Sequence, residues 1–217
     1  MKKSDMAALL ALMGLDSIPE FLEDIAGGAF SAAPSKEALT HEAGRIVAAW
    51  YSIHCQSVDV SVVSPNAKEC LTRFTHPAFG DRPSTNELWD ILYIMLSGVA
   101  CRMESIGKCN AADCADDLRY ARTVAEHLAA VAPFPVQPWP DTPRIGTFSV
   151  SRTFSKRPPV LVIHAMDVAY RQARLHAAAR KTKIAQVADL LGKKQLIISD
   201  DIRDVLGPRA FALHRHG

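Results

Sequence analysis

Three ionisable residues, His41, Glu42 and Arg45, fall inside a stretch that otherwise reads as a core-facing helix. Leu39, Ala43, Ile46, Val47 and Trp50 recur there at helical spacing. Ser35 is placed to cap the start of a helix running to about Cys55. A carboxylate and a guanidinium three residues apart share one helix face, so Glu42 and Arg45 can pair. A fold that buries this helix must also supply partners for these groups, because a buried acid left alone is costly.

The rest of the chain bounds what those partners are. Its 217 residues suit one domain with a small appendage, and 48% apolar residues allow a sizeable core. The net charge of +2 gives no reason to expect nucleic acid or a membrane surface as partner. The longest apolar run, Met6 to Leu15, is too short to span a bilayer and reads as a core helix rather than a leader. The five cysteines, Cys55, Cys70, Cys101, Cys109 and Cys114, are an odd number without a small secreted frame. They read as reduced thiols of a cytoplasmic protein, and no C-x-x-C pair suggests a zinc knuckle.

Pattern and punctuation divide the chain further. A short helix from Ser17 to Gly27 and a linker from Ala29 to Pro34 precede the long helix. Val58, Val60 and Val62 alternate with Ser57, Asp59 and Ser61, as in a half-buried strand. Residues 64 to 83, polar and proline-containing, read as loop. Ser84-Thr-Asn-Glu87 is a capping box, opening a helix with Leu88, Ile91, Leu92, Met95, Val99 and Met103 along one face. A helix from about Ala112 to Val131 turns Leu118, Ala121, Val124, Ala125 and Leu128 inward. Pro133 to Pro143 is a proline-rich strap, and Gly146 to Val150 a weakly signalled strand. Pro158-Pro159 starts another long helix. Gly192 ends the helix after it, and Ser199 caps a last one closed by Gly207.

Residues 41 to 45, His-Glu-Ala-Gly-Arg, are one letter from H-E-x-x-H. In that motif a helix brings two histidines to one zinc ion, and the glutamate acts as general base on the zinc-bound water. Arg45 replaces the second histidine, and a guanidinium has no lone pair to offer a metal. Downstream, Leu96-Ser-Gly-Val-Ala-Cys-Arg-Met-Glu-Ser-Ile-Gly107 resembles the L-G-G-R-A-A-E-E-L-x-F-G helix of the FtsH family of AAA proteases. Asp116-Asp117-Leu118 resembles that family's N-D-L, whose aspartate is the third zinc ligand. Ala169-Tyr170 through Gly207 is similar to its closing helices. The matches run in family order across residues 35 to 207.

The resemblance implies a mainly α-helical FtsH-like peptidase domain with a small β element, whose strand after the motif helix edges the cleft. It divides the chain into an N-terminal extension and linker (1–34), the peptidase-like domain (35–207) and a C-terminal tail (208–217). It makes Glu42 a vestigial general base, His41 and Asp117 vestigial or weak metal ligands, and Arg45 the residue that blocks the site. Cys114, one helical turn before Asp117, is a substitute third ligand if zinc is bound. Val99, Arg102 and Met103 depart from the family's arginine and paired glutamates, and Asn110 to Asp113 lacks its glycine. No G-x-x-x-x-G-K-[ST] occurs, so any ATP-driven step belongs to a partner. The implied function is a degenerate, non-enzymatic binding or regulatory module with no cofactor. Its partners would be copies of itself in a ring or an AAA protease. The alternative is an active zinc endopeptidase using His41, Asp117 and a non-standard third ligand, with Glu42 as base.

Overall fold

The computed structural model describes residues 34–62, 71–80, 82–107, 114–131 and 160–209. The extension before residue 34, the strap at 133–143, the strand expected at 146–150, and Cys70, Cys109, Asn110 to Asp113, His214 and His216 lie outside them.

Helix α1, Lys36–Tyr51, begins as expected: Ser35 is extended and its hydroxyl accepts from the Ala38 amide at 3.1 Å. It stops short of Cys55 because Ser52 turns out of the helix. The Ser52 hydroxyl accepts from the amides of His54 and Cys55 and donates to Asp90, a local network that competes with another helical turn.

Strand β1, Ser57–Val62, forms where the alternation puts it, in the middle of a three-stranded antiparallel sheet. On one side it pairs with β2, Leu71–Thr75, from Ser57 opposite Thr75 to Val62 opposite Leu71. On the other it pairs with β3, Leu196–Ile198, with Val60 opposite Ile198. The segment read as loop thus holds a strand, followed by a short 3₁₀ turn at Pro77–Phe79. Both flanking strands are too short to carry a periodic signal; pairing with β1 makes them strands. The β1–β2 register shifts between Val58 and Val60, and this bulge breaks the simple alternation. Val58 and Ser61 are both fully buried, so the bulge turns Ser61 inward.

Helix α2, Thr85–Ile106, carries the expected capping box: Glu87 N–H donates to Ser84 Oγ at 3.3 Å, and Ser84 N–H to Glu87 Oε2 at 2.6 Å. It ends at Gly107, whose φ of +75° needs a residue without Cβ strain. Its one-sided apolar stripe understates its position, since every residue from Ile91 to Arg102 is buried. A helix buried on all sides is a core helix, and α2 packs against α1, α3 (Ala115–Val131) and α4 (Val160–Ala179). Ile91, Leu92, Ile94 and Leu96 are fully buried, each contributing about 1.5–3 kcal/mol of transfer free energy.

Helix α4 starts directly after the two prolines. Helix α5, Lys181–Lys194, runs through Gly192 instead of ending there; Gln195 takes the left-handed position at φ 57°, and its N–H returns to Leu191 O. That turn sends the chain back into β3, so the sheet sets the helix end. Helix α6, Ser199–Leu206, is capped at its start by Asp201, which accepts from Ile198 N–H at 3.1 Å. Ser199 does not cap it, because its hydroxyl donates to the Val58 carbonyl of β1. Beyond Gly207, Arg209 stacks on Trp50, 5.5 Å from the ring centroid, and donates to the Trp50 carbonyl at 3.3 Å. The start of the tail therefore occupies carbonyls that α1 leaves open at its C-terminus.

Among the described residues the protein is mainly α-helical with a small antiparallel sheet, and no helix is long and apolar enough to cross a membrane.

Candidate functional site

Helices α1 and α2 cross closely because each presents a glycine to the other. A Cβ on Gly44 would fall 2.5 Å from Cys101 Sγ, and one on Gly98 would fall 2.6 Å from His41 Nε2. The Gly98 gap holds the His41 ring. Helix α3, which also packs on α2, brings in Asp117 from its first turn.

The three helices join His41 to Asp117 directly. His41 Nε2 donates to Asp117 Oδ2 at 2.5 Å, and the two side chains are only 10% and 11% exposed. The other ring nitrogen, Nδ1, is buried without a partner among the described residues. Arg45 sits between the two acids, its Nη1 3.3 Å from Glu42 Oε1 and 3.5 Å from Asp117 Oδ1. The pairing of Arg45 with Glu42 expected from their spacing is present, and Asp117 lies on the same guanidinium.

Glu42 is 1% exposed and needs more than Arg45. Its Oε2 accepts from the Thr72 hydroxyl at 2.5 Å. Thr72 Oγ1 in turn accepts from Ser61 Oγ at 2.8 Å, since its own proton goes to Glu42. Ser61 and Thr72 face each other across β1 and β2, and the bulge makes that chain possible by turning Ser61 inward. Both oxygens of Glu42 are thus engaged, whereas a general base needs one aimed at the proton it removes.

Burial by itself would raise the Asp117 carboxyl. The hydrogen bond from His41 and the charge of Arg45 outweigh it, holding the group below the usual carboxylate range. The cluster is therefore a buried ionised acid with a histidine donor and an arginine beside it.

Cys114 is buried one turn before Asp117, but its sulfur accepts from Arg102 Nη1 at 3.6 Å. Arg102 is itself 4% exposed. Sequence reasoning missed Thr72 and Ser61: the first lies in a segment read as loop, and the second on the strand face expected to point outward. Gly98 sits under the His41 ring because of the α1–α2 crossing, which no local pattern encodes.

A catalytic zinc takes three protein ligands at about 2.0–2.3 Å, plus water. Two ligand atoms on one tetrahedral ion lie about 3.3 Å apart, wider than the 2.5 Å between His41 Nε2 and Asp117 Oδ2. Arg45 adds a fixed positive charge beside the same acid. Among the described residues, no three His, Cys, Asp or Glu side chains are grouped to hold an ion. Among the described residues, the donor set does not fit a catalytic zinc. No protein-family model matches the chain, and no curated protein matches it.

Proposed function

We propose that this chain is a peptidase-like domain of FtsH type in which a salt-bridge cluster occupies the place of the metal, and that it serves as a binding or regulatory module rather than an enzyme. The observation that carries the reading is Arg45, which stands at the second ligand position of the motif and lies within 3.5 Å of both Glu42 and Asp117. A guanidinium there balances two buried carboxylates that a metal would otherwise have to neutralise. The ordered matches from His41 to Gly207 support descent from a peptidase fold, and Asp117 opposite His41 accords with its proposed origin as a ligand. On this reading the partner is a second copy of the chain or an AAA protease.

The test is chemical. Protein purified without added zinc should carry far less than one zinc per chain by elemental analysis. It should also leave casein intact with and without ATP. A stoichiometric ion that resists dialysis, with zinc-dependent cleavage lost in Glu42→Gln, would establish the active endopeptidase instead. Gln keeps the shape of Glu42 and removes the base.

A further inference from the structure

A second polar site lies at the far end of α1. There the end of α1, the first half of α2 and the last turns of α4 enclose a pocket of about 350 Å³, within the range of small-molecule sites. It is lined by Tyr51, Trp89, Asp90, Tyr93, His176 and Arg180, among others. Neither the motif match nor the salt-bridge cluster involves these residues.

The pocket holds two opposite charges that do not neutralise each other. Asp90 is a prepared carboxylate. Its Oδ2 accepts from His76 Nε2 at 2.9 Å and from the Ser52 hydroxyl. His76 is fully buried, and its Nδ1 accepts from the Ala78 amide at 3.0 Å, which puts the ring proton on Nε2 and leaves the ring neutral. Both donors to Asp90 are therefore uncharged, and no lysine or arginine pairs with it among the described residues. Its side chain is 16% exposed, enough to meet a ligand. Arg180 lies over the Tyr51 ring, 4.7 Å from the centroid, and has no carboxylate partner among the described residues. Asp90 and Arg180 form no ion pair with each other, yet both act on the Tyr93 phenol electrostatically.

Aromatic groups supply the rest of the wall. Tyr93 is fixed by a hydrogen bond of 2.8 Å between its hydroxyl and His176 Nδ1, in an edge-on ring pair with centroids 5.0 Å apart. Trp89 is partly buried beside them. The pocket thus offers a carboxylate, a guanidinium and an apolar aromatic surface in one concavity. An anion would be opposed by Asp90 and a simple amine by Arg180, whereas a molecule carrying both charges satisfies both.

We infer that this pocket binds a small zwitterion of the amino-acid type, its ammonium on Asp90, its carboxylate on Arg180 and an aromatic side chain against Trp89 and Tyr93. The inference does not rest on the peptidase reading and stands or falls separately from it.

Calorimetric titration of the full chain with L-phenylalanine, L-tyrosine and L-tryptophan tests it, alongside phenethylamine and 3-phenylpropionate as single-charge halves. At least one amino acid should bind saturably, and each half should bind about 10- to 100-fold more weakly, the worth of one charge-assisted hydrogen bond. Arg180→Gln should weaken the amino acid by a similar factor while binding phenethylamine no more weakly than wild type, because the opposing charge is gone. Asp90→Asn should do the converse, sparing 3-phenylpropionate. Far-ultraviolet circular dichroism establishes that each variant is folded, and Arg180→Gln carries the test if Asp90→Asn is not. Binding of 3-phenylpropionate as tight as that of the amino acids would overturn the zwitterion assignment in favour of a plain anion site. So would the absence of saturable binding of any amino acid up to about 10 mM, the limit of a weak specific site.

Discussion

His41 Nε2 and Asp117 Oδ2, 76 positions apart in the chain, meet at 2.5 Å, with Gly98 beneath the imidazole. Arg45 lies 3.5 Å from the other oxygen of the same carboxylate. Four residues from three helices thus form one buried polar unit, and its energetics can be tested piece by piece.

Arg45→Ala removes the positive charge between two acids whose side chains are 2% and 11% exposed. Exposed pairs are worth about 0–1 kcal/mol, but stripping one partner from a buried pair costs about 3–5. We expect a loss of about 3 kcal/mol in denaturant-unfolding free energy. A variant that unfolds with wild type would mean that the guanidinium contributes nothing to the fold.

Arg45→His removes the same charge and places a second imidazole one turn from His41, completing H-E-x-x-H beside Asp117. Zinc should raise its melting temperature, because an ion that binds only the folded state stabilises it by about 2.7 kcal/mol at a hundred times its Kd. Wild type should show no such response. A zinc-insensitive variant would indicate that Asp117 cannot move back from His41 to admit the ion.

Gly98→Ala tests the packing under the ring. The added Cβ would lie 2.6 Å from His41 Nε2, so the imidazole has to move. Overpacking of about 1–3 kcal/mol should exceed the helix-propensity gain of about 1 kcal/mol, giving net destabilisation. In a His41→Ala background the same change should become neutral or stabilising. Equal effects in both backgrounds, measured as a double-mutant cycle, would show that the ring does not rest on Gly98.

The Asp117 carboxyl is held below its ordinary range in the folded state, so the folded chain binds fewer protons than the unfolded chain as pH falls. Its stabilisation is complete above the unfolded carboxylate pKa of about 4 and disappears as pH drops through the lower folded value. The stability that wild type gains over Asp117→Asn from the ionised carboxyl should therefore shrink as pH falls below about 4. A difference unchanged at pH 3 would rule out an ionised Asp117 as its source.

Much of the architecture is local and therefore legible in the sequence. Ser35 and the Ser84–Glu87 box fix two helix starts, and Gly207 one helix end, because caps act within a turn of the residues they serve. The valine alternation located β1 for the same reason. The pairing of Arg45 with Glu42 follows from three-residue spacing on one helix. Contacts between distant segments were decided only by the tertiary structure. β2 and β3 exist as strands because β1 lies between them, and Gly192 does not end α5 because the chain must first reach that sheet. Cys114 immediately precedes the helix of Asp117, and its sulfur accepts from Arg102 of α2. Thr72 reaches Glu42, and Ser61 reaches Thr72, only through a one-residue bulge that no hydrophobic period announces. The sequence determined the Arg45–Glu42 pair within α1; the crossing of α1, α2 and α3 decided that His41 and Arg45 meet Asp117, because partners from different helices are chosen by packing rather than by spacing.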